Sequence, residues 1–377
     1  MKKIIIVLII LLVFILSIEQ EEKKEKELRG VFISYIELSK YVKTDINTSK
    51  NNIKKMVKNI KDFDLNTIIL QVRISSDSIY KSNIYPTSNY IVENEGDKFY
   101  DVLDFFLKEA HENDIKLFAW INPYRVRTTE DISTISKSNP AYKYLNTDYI
   151  YINNGVYYNP SKSEVTKLIV EGVEEVLDYP VDGLLFDDYF YPNNEIDIND
   201  YNEYLKDNKK ISKEEYNLNI INNMVEKVYS KCKSKNIYFG ISPEGNIDNN
   251  YNKNYADVKR WMNSNKYIDF IMPQIYYGFN NSTKNYKDTI KEWEYLNKKD
   301  LYIALSFYKV GYKDIYAKEG INEWINSKDL IMRQVILARN LKRYKGFVIF
   351  RYDNIFDENS YRENSLSEIN NLKRILK

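Results

Sequence analysis

The sequence predicts an α/β fold, a single (β/α)8 TIM barrel with long strand-to-helix loops at its C-terminal face. Short apolar runs rich in β-branched and aromatic residues recur along the chain, and stretches with helical periodicity separate them. Strands that alternate with helices form parallel βαβ units. Eight such units favour a closed barrel over an open sheet.

The predicted strands are short and evenly distributed. They cover residues 31–35, 67–72, 116–121, 183–186, 238–242, 268–273, 301–307 and 347–351. Helical periodicity predicts helices between them and one more near the end of the chain, which is expected to close against the barrel. These helices cover residues 53–63, 100–112, 164–177, 218–232, 255–262, 289–296, 330–341 and 366–376.

The lengths of the connections support the barrel more firmly than residue propensities do. Helix-to-strand connections such as 62–66 and 179–182 are short, whereas strand-to-helix connections such as 75–98, 122–163 and 189–212 are long. In a TIM barrel the long connections all rise from the C-terminal face, where the active sites of this fold lie. We therefore expect one large cleft at that face.

The beginning of the chain differs in composition from the rest. Residues 1–18 start with two lysines after the methionine and continue as an apolar run, which is typical of a signal peptide or an N-terminal membrane anchor. Residues 19–27 form a charged tether, and no cysteine for lipid attachment lies near the apolar run. Residues 28–377 are predicted to form the barrel as one domain. We expect an exported protein, at the extracellular face of the membrane or in the cell wall, anchored or secreted.

Composition excludes several partners and chemistries. With 55 basic and 54 acidic side chains, the chain has no net charge that would attract nucleic acid or anionic lipid, so membrane contact is expected only through the N-terminal apolar segment. The one histidine, His111, lies at the end of a predicted helix, which argues against zinc sites built on several imidazoles and against a Ser-His-Asp relay. The one cysteine, Cys232, excludes an internal disulfide. No cofactor is implied.

Two adjacent carboxylates, Asp187 and Asp188, follow the predicted strand 183–186 and precede an aromatic cluster. Sugars are commonly bound by aromatic faces beside carboxylates. Cleavage of a glycosidic bond needs one carboxylic acid to protonate the leaving oxygen and a second carboxylate as nucleophile or base, about 5 Å to 9.5 Å away. Glu244 follows the next strand, and neighbouring strands lie about 4.8 Å apart. Asp187 with Glu244 is therefore the leading pair, and Asp188 and Asp353 are the other candidates for its second member.

Polar and aromatic residues near the other strand ends are candidates for substrate binding. Arginine is suited to hold a substrate carboxylate or to lower the pKa of an aspartate, and amides and tyrosines suit hydroxyl and amide recognition. The candidates are Arg73, Asn122, Tyr124, Arg125, Tyr189, Gln274, Tyr276 and Asp353. Structural roles compete with these assignments: Arg73 would only neutralise an aspartate, Glu244 would face solvent, and Tyr276 would pack under a loop.

Taken together, these motifs resemble those of the glycosyl hydrolase-like 10 family. The matching segments are 28–33, 71–73 with Asp77, 119–125, 182–192, 239–243 and 273–276. The resemblance implies a TIM barrel, export to the cell envelope and glycoside hydrolase activity; for characterised relatives the substrate is peptidoglycan glycan stripped of stem peptides. It extends to Arg73, Asn122, Tyr124, Arg125, Asp187, Asp188, Tyr189, Ser242, Gln274 and Tyr276. Glu244 departs from the family, which often has an apolar residue after Ser-Pro.

The sequence thus predicts a glycosidase, an O-glycosyl hydrolase that cleaves peptidoglycan glycan strands lacking stem peptides by a two-carboxylate mechanism. Two alternatives stay open. One is a barrel that binds glycan without turnover, because this fold hosts many roles. The other is a metal-dependent hydrolase in which Asp187, Asp188 and Asp353 act as oxygen ligands.

Overall fold

The computed structural model describes residues 26–193, 195–207 and 210–377. The predicted signal peptide or anchor at 1–18 and most of the predicted tether at 19–27 lie outside the described residues. The strands in these ranges are β1 (Leu28–Ile33), β2 (Thr67–Arg73), β3 (Lys116–Ile121), β4 (Arg125–Arg127), β5 (Ile150–Ile152), β6 (Val156–Tyr158), β7 (Gly183–Phe186), β8 (Tyr238–Ile241), β9 (Phe270–Ile271), β10 (Asp300–Ser306) and β11 (Tyr344–Phe350).

Eight of these strands form a closed barrel in the order β1-β11-β10-β9-β8-β7-β3-β2. All neighbouring pairs are parallel, including the closing pair of β1 with β11. The predicted (β/α)8 barrel is confirmed, and each predicted strand overlaps one barrel strand. Their bounds differ by a few residues; β9, for example, is only two residues long where six were predicted.

Helices surround the barrel. The α-helices are Tyr35–Glu37, Ile46–Asp62, Val102–His111, Ser163–Leu177, Ile198–Asp207, Lys213–Ser234, Ile247–Asn252, Val258–Asn263, Tyr286–Leu296, Glu323–Asn326, Leu330–Ala338, Asp353–Phe356 and Ser365–Arg374. A π-helix covers Leu38–Val42, and 3-10 turns cover Ile132–Thr134, Tyr142–Tyr144, Phe307–Lys309, Lys318–Gly320 and Glu358–Ser360. None of the helices in the described ranges has the length and apolar character needed to cross a membrane.

Two helices begin five or more residues earlier than their apolar periodicity predicts, because polar caps start them. The Asp45 carboxylate accepts hydrogen bonds from the backbone N–H groups of Asn47 and Thr48, so the first long helix begins at Ile46 and not at residue 53. The Ser212 hydroxyl accepts one from the N–H of Glu215 and starts the helix Lys213–Ser234. Their first turns are polar, and the hydrophobic pattern therefore does not reveal them.

The core has two layers, one inside the barrel and one between the barrel and the helices. The inner layer contains Phe32, Ile69, Phe118, Trp120, Leu185, Phe270, Met272, Tyr302 and Val348. Side chains that alternate with these point outward and pack against the helices, as Ile68, Leu70, Leu117 and Leu184 do. Because the interior is filled with side chains, the barrel has no open central channel, and a ligand at its mouth lies above this inner layer.

The long connection after β3 contains a small antiparallel sheet in the order β4-β6-β5, where the sequence predicts no strand. Arg125 pairs with Tyr157 and Arg127 with Val156, so the sheet places Arg125 beside the mouth of the barrel. Arg127 forms a buried ion pair with Glu95 at 2.6 Å. This ion pair joins the segment after β3, which contains Arg127, to the segment after β2, which contains Glu95.

Candidate active site

A cavity of about 430 Å³ lies at the C-terminal end of the barrel. Residues in or just after all eight barrel strands form its wall. They are Phe32, Ser34, Tyr35, Ile36, Gln71, Trp120, Arg125, Asp187, Asp188, Tyr189, Ser242, Gln274, Tyr276, Tyr308 and Phe350. Asp187 and Asp188 supply the carboxylates among these residues, as the sequence predicted for the mouth of the barrel.

The alternation of side chains along the strands explains why Asp187 faces the cavity. Leu185 points into the barrel, and the side chain two residues later lies on the same face of the strand. The same rule applies to β3, where Phe118 and Trp120 point inward and Asn122 follows them. Asp187 and Asn122 therefore meet at the base of the cavity.

Asp187 is held by several donors. One carboxylate oxygen accepts hydrogen bonds from the indole N–H of Trp120, at 3.0 Å, and from the side-chain amide of Asn122. The other oxygen accepts one from the backbone N–H of Tyr189 at 3.3 Å. With only 4% of its surface exposed, this carboxylate is tightly positioned, and its donors favour the ionised form.

The orientation of Asn122 is determined by its neighbours. Its side-chain oxygen accepts hydrogen bonds from the amide of Gln71, at 2.5 Å, and from the guanidinium of Arg125, at 2.8 Å. An amide whose oxygen accepts two donors must direct its NH2 group elsewhere, here toward Asp187. Gln71 and Arg125 therefore act on Asp187 through Asn122.

Asp188 is in a different environment. Its carboxylate accepts one hydrogen bond, at 3.0 Å, from the side-chain amide of Gln274, which also donates to the carbonyl of Ser242. Burial and the adjacent Asp187 charge together raise the pKa of Asp188 to about 7. Burial also raises the pKa of Asp187, but the charge of Arg125 and the three donors oppose that rise. Asp187 accepts more hydrogen bonds than Asp188 does, so the surrounding donors favour the ionised form at Asp187 and the protonated form at Asp188.

The upper part of the cavity is aromatic. Tyr189 is 52% exposed as a residue, and the guanidinium of Arg125 lies 5.3 Å from the centre of its ring. Tyr276 packs against Tyr308 with ring centres 5.9 Å apart, and burial keeps the pKa of its hydroxyl well above the ordinary value. The buried Ser242 hydroxyl has no hydrogen-bond partner within the described residues. These groups are suited to contact the faces and hydroxyls of a sugar.

Two predicted carboxylates do not line the cavity. Glu244 lies just past the end of β8, and its carboxylate accepts a hydrogen bond from the side-chain amide of Asn249 at 2.6 Å. Asn249 belongs to the next helix, Ile247–Asn252, so this contact holds the Glu244 side chain toward that helix. Asp353 is bound by the Tyr41 hydroxyl at 2.9 Å and by Lys40 at 3.2 Å, behind the segment that follows β1. The leading pair of the sequence reading, Asp187 with Glu244, is therefore not assembled at the cavity, whereas Asp187 with Asp188 is.

Two predicted binding residues point away from the cavity. A bulge in β2 shifts the register between Gln71 and Arg73, so Gln71 faces inward and Arg73 outward. Arg73 is buried against the Tyr85 ring, 4.5 Å from its centre, on the outer side of the barrel. Tyr124 is likewise buried in the outer core. Its carbonyl accepts a hydrogen bond from the backbone N–H of Tyr158, which holds this segment against the small sheet.

The sequence reading missed several residues of the cavity. Gln71 and Trp120 lie in the motif segments 71–73 and 119–125, but no role is predicted for them from the sequence. Each lies two residues after an inward-facing side chain of the same strand, and this spacing is the signal that identifies them. Ser34 and Tyr35 end the predicted strand 31–35 and Tyr308 directly follows the predicted strand 301–307, so their position at strand ends was the signal for these three residues. The predicted Arg125, Tyr189, Gln274 and Tyr276 do line the cavity, and Asn122 lies directly behind Asp187.

The ligand set of the metal-dependent alternative is not assembled. In the ranges that the structure describes, no group of three or more His, Cys, Asp or Glu side chains is arranged to hold a metal ion. Asp353 is engaged with Lys40 and does not reach the aspartate pair. This arrangement does not provide the three oxygen ligands proposed from the sequence.

The arrangement of carboxylates, amides and aromatic rings at one barrel mouth agrees with a comparison of the sequence with known families. The model of the family described as glycosyl hydrolase-like 10 matches residues 27–319. The chain belongs to this family. As a member it is a glycoside hydrolase, and the resemblance recognised in its motifs is confirmed.

Two named relatives align over most of the chain. Glycosyl hydrolase YngK of Bacillus subtilis (strain 168) is 29% identical over 358 residues, which are 86% of this chain and 68% of the relative. Glycosyl hydrolase DigH of Escherichia coli (strain K12) is 32% identical over 328 residues, 77% of this chain and 72% of the relative. Both relatives are thus longer than the region they share with this family member.

Solved structures with the same fold include the glycoside hydrolase domain of PgaB (BpsB) from Bordetella bronchiseptica. It has a TM-score of 0.56 and 12% sequence identity, and the match covers 93% of this chain and 99% of that one. A β-1,4-D-mannanase from Cryptopygus antarcticus has a TM-score of 0.51 and 13% identity, with 93% and 90% covered. At these identities the likeness establishes the barrel fold.

Proposed function

We propose that this glycosidase cleaves peptidoglycan glycan strands that lack stem peptides, with Asp188 as the general acid and Asp187 as the ionised carboxylate. The observation that carries the proposal is the adjacent pair at the base of the cavity, in which one carboxyl is surrounded by donors and the other has a pKa near 7. Two carboxylates with different environments are the usual basis for separate acid and base roles.

In this mechanism the proton on Asp188 passes to the glycosidic oxygen as the bond from that oxygen to the anomeric carbon breaks. Asp187, held by Trp120 and Asn122, stabilises the positive charge that develops at the sugar. Water then supplies the hydroxyl of the new reducing end, and its proton returns to Asp188. Tyr189 and Tyr276 are the aromatic surfaces for the sugar rings.

The choice of substrate rests on the family. The named relatives are glycosyl hydrolases, and for characterised members the substrate is the peptide-free glycan of peptidoglycan. Such a substrate lies outside the cytoplasmic membrane, which agrees with the export predicted from residues 1–18. We propose a location at the extracellular face of the membrane or in the cell wall on the same grounds.

The test is release of reducing ends from peptide-free peptidoglycan strands by the full chain. Asp188→Asn and Asp187→Asn are each expected to lower kcat by about 10³-fold or more, since proton transfer alone contributes about 10²–10⁴-fold. The wild-type rate is expected to fall above pH 7, because the acid must be protonated.

Glu244→Gln is the matched control, because Glu244 lies near the pair without lining the cavity. It is expected to retain most of the activity. Loss of activity in this variant with full activity in Asp188→Asn would assign the acid to Glu244 instead. Strands that bind in calorimetry but release no products, even after long incubation, would favour a glycan-binding barrel without turnover.

A further inference from the structure

A second cavity of about 600 Å³ adjoins the active site at the same end of the barrel. Tyr308 lines both cavities, so its ring is a shared wall between them. The second cavity is formed mainly by the connection after β10 and by the segment just before the last helix. The two cavities therefore lie next to each other at the mouth of the barrel.

The second cavity exposes an unusual amount of aromatic surface. Tyr308 is 38% exposed, Tyr312 48% and Tyr316 79%, and Ile315 between them is 68% exposed. Clusters of large exposed apolar side chains on soluble proteins commonly mark binding sites. Tyrosine rings offer an apolar face together with a polar hydroxyl, which suits a sugar ring.

The backbone beneath these tyrosines is anchored. Asp314 is buried, accepts a hydrogen bond from Lys309 at 2.9 Å, and donates its own N–H to the carbonyl of Ile321 at 3.0 Å. Gly311 has φ +78° and donates its N–H to the carbonyl of Trp324. The rings are thus carried by an ordered loop, which lowers the entropy cost of binding.

The charges in this cavity are unequally compensated. Lys309 is paired with Asp314, and Arg351 with Glu37. Lys313 and Arg362 are exposed, and within the described ranges neither forms an ion pair. The guanidinium of Arg362 lies 5.3 Å from the centre of the Tyr312 ring and donates to its hydroxyl at 2.6 Å. Two uncompensated cations beside aromatic rings favour an anionic sugar.

We propose that Tyr308, Tyr312, Tyr316, Lys313 and Arg362 form a carboxylate subsite, which binds a sugar unit bearing a free carboxylate in the same glycan chain that occupies the active site. The guanidinium of Arg362 has unused N–H donors for the carboxylate, Lys313 adds a second positive charge, and the tyrosines contact the sugar ring. This inference rests on the proposed function and deepens it.

The subsite gives a chemical reason for a preference for stripped strands. The lactyl carboxyl group of a peptidoglycan sugar is an amide when a stem peptide is attached and a free carboxylate when the peptide has been removed. Only the free carboxylate has the charge that Lys313 and Arg362 recognise. The subsite would thus distinguish stripped strands from peptide-bearing strands by the negative charge of the free lactyl carboxylate.

The experiment compares peptide-free strands with the same strands after their carboxyl groups have been converted to methylamides. With the full chain, Arg362→Gln/Lys313→Gln is expected to raise KM for the free-carboxylate strands by about 10-fold or more, with a much smaller change in kcat. On methylamide strands the wild type and the double variant are expected to have equal KM values. Lys313→Gln alone, at a residue exposed to solvent, is expected to give part of the effect without any change in folding.

Lys318→Gln is the control for loss of surface charge, because Lys318 is exposed in the same connection but does not line the cavity. An unchanged KM in the double variant, or an equal increase for both kinds of strand, would overturn the subsite. Failure of the proposed function has a different signature, in which the wild type releases no reducing ends from either kind of strand. Calorimetry with the Asp188→Asn variant then still tests whether carboxylate binding depends on Arg362.

Discussion

Asp187 and Asp188 show how neighbouring residues acquire different chemistry. They are the same residue type at the end of the same strand, and their difference comes from the groups around them. The Asp187 carboxylate accepts hydrogen bonds from the N–H groups of Trp120, Asn122 and Tyr189, whereas among the described side chains Gln274 is the donor to Asp188. Because two adjacent negative charges repel, and Asp187 is buried and Asp188 partly buried, ionisation of one carboxyl raises the pKa of the other.

Loss of the proton from Asp188 carries a cost in stability, which Asp188→Asn is expected to relieve. The pKa of Asp188 is raised to about 7 in the folded protein, against roughly 3.9 for an unperturbed aspartate. A raised pKa means that stability falls as pH rises from about 4 to about 7. The variant is therefore expected to melt about 2–4 °C higher than the wild type at pH 8. The gain should shrink at pH 5 and vanish near pH 4.

Asp353→Asn is the contrasting control for this measurement. Asp353 is buried and accepts hydrogen bonds from Tyr41 and Lys40, so its removal breaks charge-assisted contacts. Its melting temperature at pH 8 is expected to fall. A melting temperature for Asp188→Asn that is equal to or below the wild-type value at pH 8 would contradict the proposed repulsion in the pair.

At the scale of an element, the bulge in β2 decides which residues reach the cavity. Regular alternation would direct both Gln71 and Arg73 inward, and the bulge turns only the second one outward. Arg73 then lies against the helix Ser163–Leu177, where Gly172 provides the space for its guanidinium and for the Tyr85 ring. The role of Arg73 is to pack these elements together.

Gly172→Ala is expected to destabilise the protein, although alanine favours helices over glycine by about 1 kcal/mol. A Cβ atom at this position would overlap the Arg73 guanidinium and lie 2.8 Å from the Tyr85 hydroxyl. Overpacking of this kind costs about 1–3 kcal/mol, so chemical denaturation should show a lower unfolding free energy. Glu171→Ala, at the exposed position beside it, should change stability little. A variant at 172 as stable as the wild type would show that Arg73 is free to move.

The sequence predicted the barrel elements better than the connections between them. Barrel strands are apolar and bounded by polar turns, so their positions can be predicted from the sequence. The placement of Asp187 and Gln274 at the mouth follows from their positions at strand ends. Glu244 and Asp353 also follow strands, yet local turns direct them away from the cavity. The path of a connection depends on contacts with distant segments, such as Glu95 with Arg127, which no local pattern encodes.

At the scale of the whole molecule, Glu27 closes the base of the barrel. Its carboxylate binds Arg339 at 2.8 and 2.9 Å, the Tyr344 hydroxyl at 2.7 Å and Arg29 at 2.9 Å. Arg29 belongs to the first strand, Tyr344 to the last strand, and Arg339 directly follows the helix Leu330–Ala338. Although Glu27 is the last residue of the predicted tether, it joins the two ends of the domain.

Glu27→Gln is therefore expected to weaken the closure of the barrel. Burial opposes ionisation of Glu27, but hydrogen bonds from Arg339, Tyr344 and Arg29 outweigh it and lower the pKa. A lowered pKa gives stability that is present above about pH 4.3 and is lost as pH falls through the folded-state value. The variant should lose about 1–3 kcal/mol of unfolding free energy at pH 7 and approach the wild type near pH 3.

Glu93→Gln provides the comparison, because Glu93 is 81% exposed and its ion pair with Lys43 is long, at 3.4 Å. Exposed pairs contribute about 0–1 kcal/mol, so urea denaturation should barely distinguish this variant from the wild type. Equal effects of the two substitutions at pH 7 would mean that Glu27 contributes only a surface charge.

The sequence by itself determined the barrel, the family and the position of Asp187 at the barrel mouth, because each depends on short segments: apolar strands, ordered motifs and a strand that ends in carboxylates. Tertiary structure alone decided which second carboxylate joins Asp187, that Arg73 serves packing, and that Lys313 and Arg362 lie beside exposed tyrosines. These outcomes depend on a bulge, on turns and on partners hundreds of residues apart. Local sequence patterns specify on which face of a strand a side chain lies. The distances between side chains of different strands are fixed only when the barrel closes.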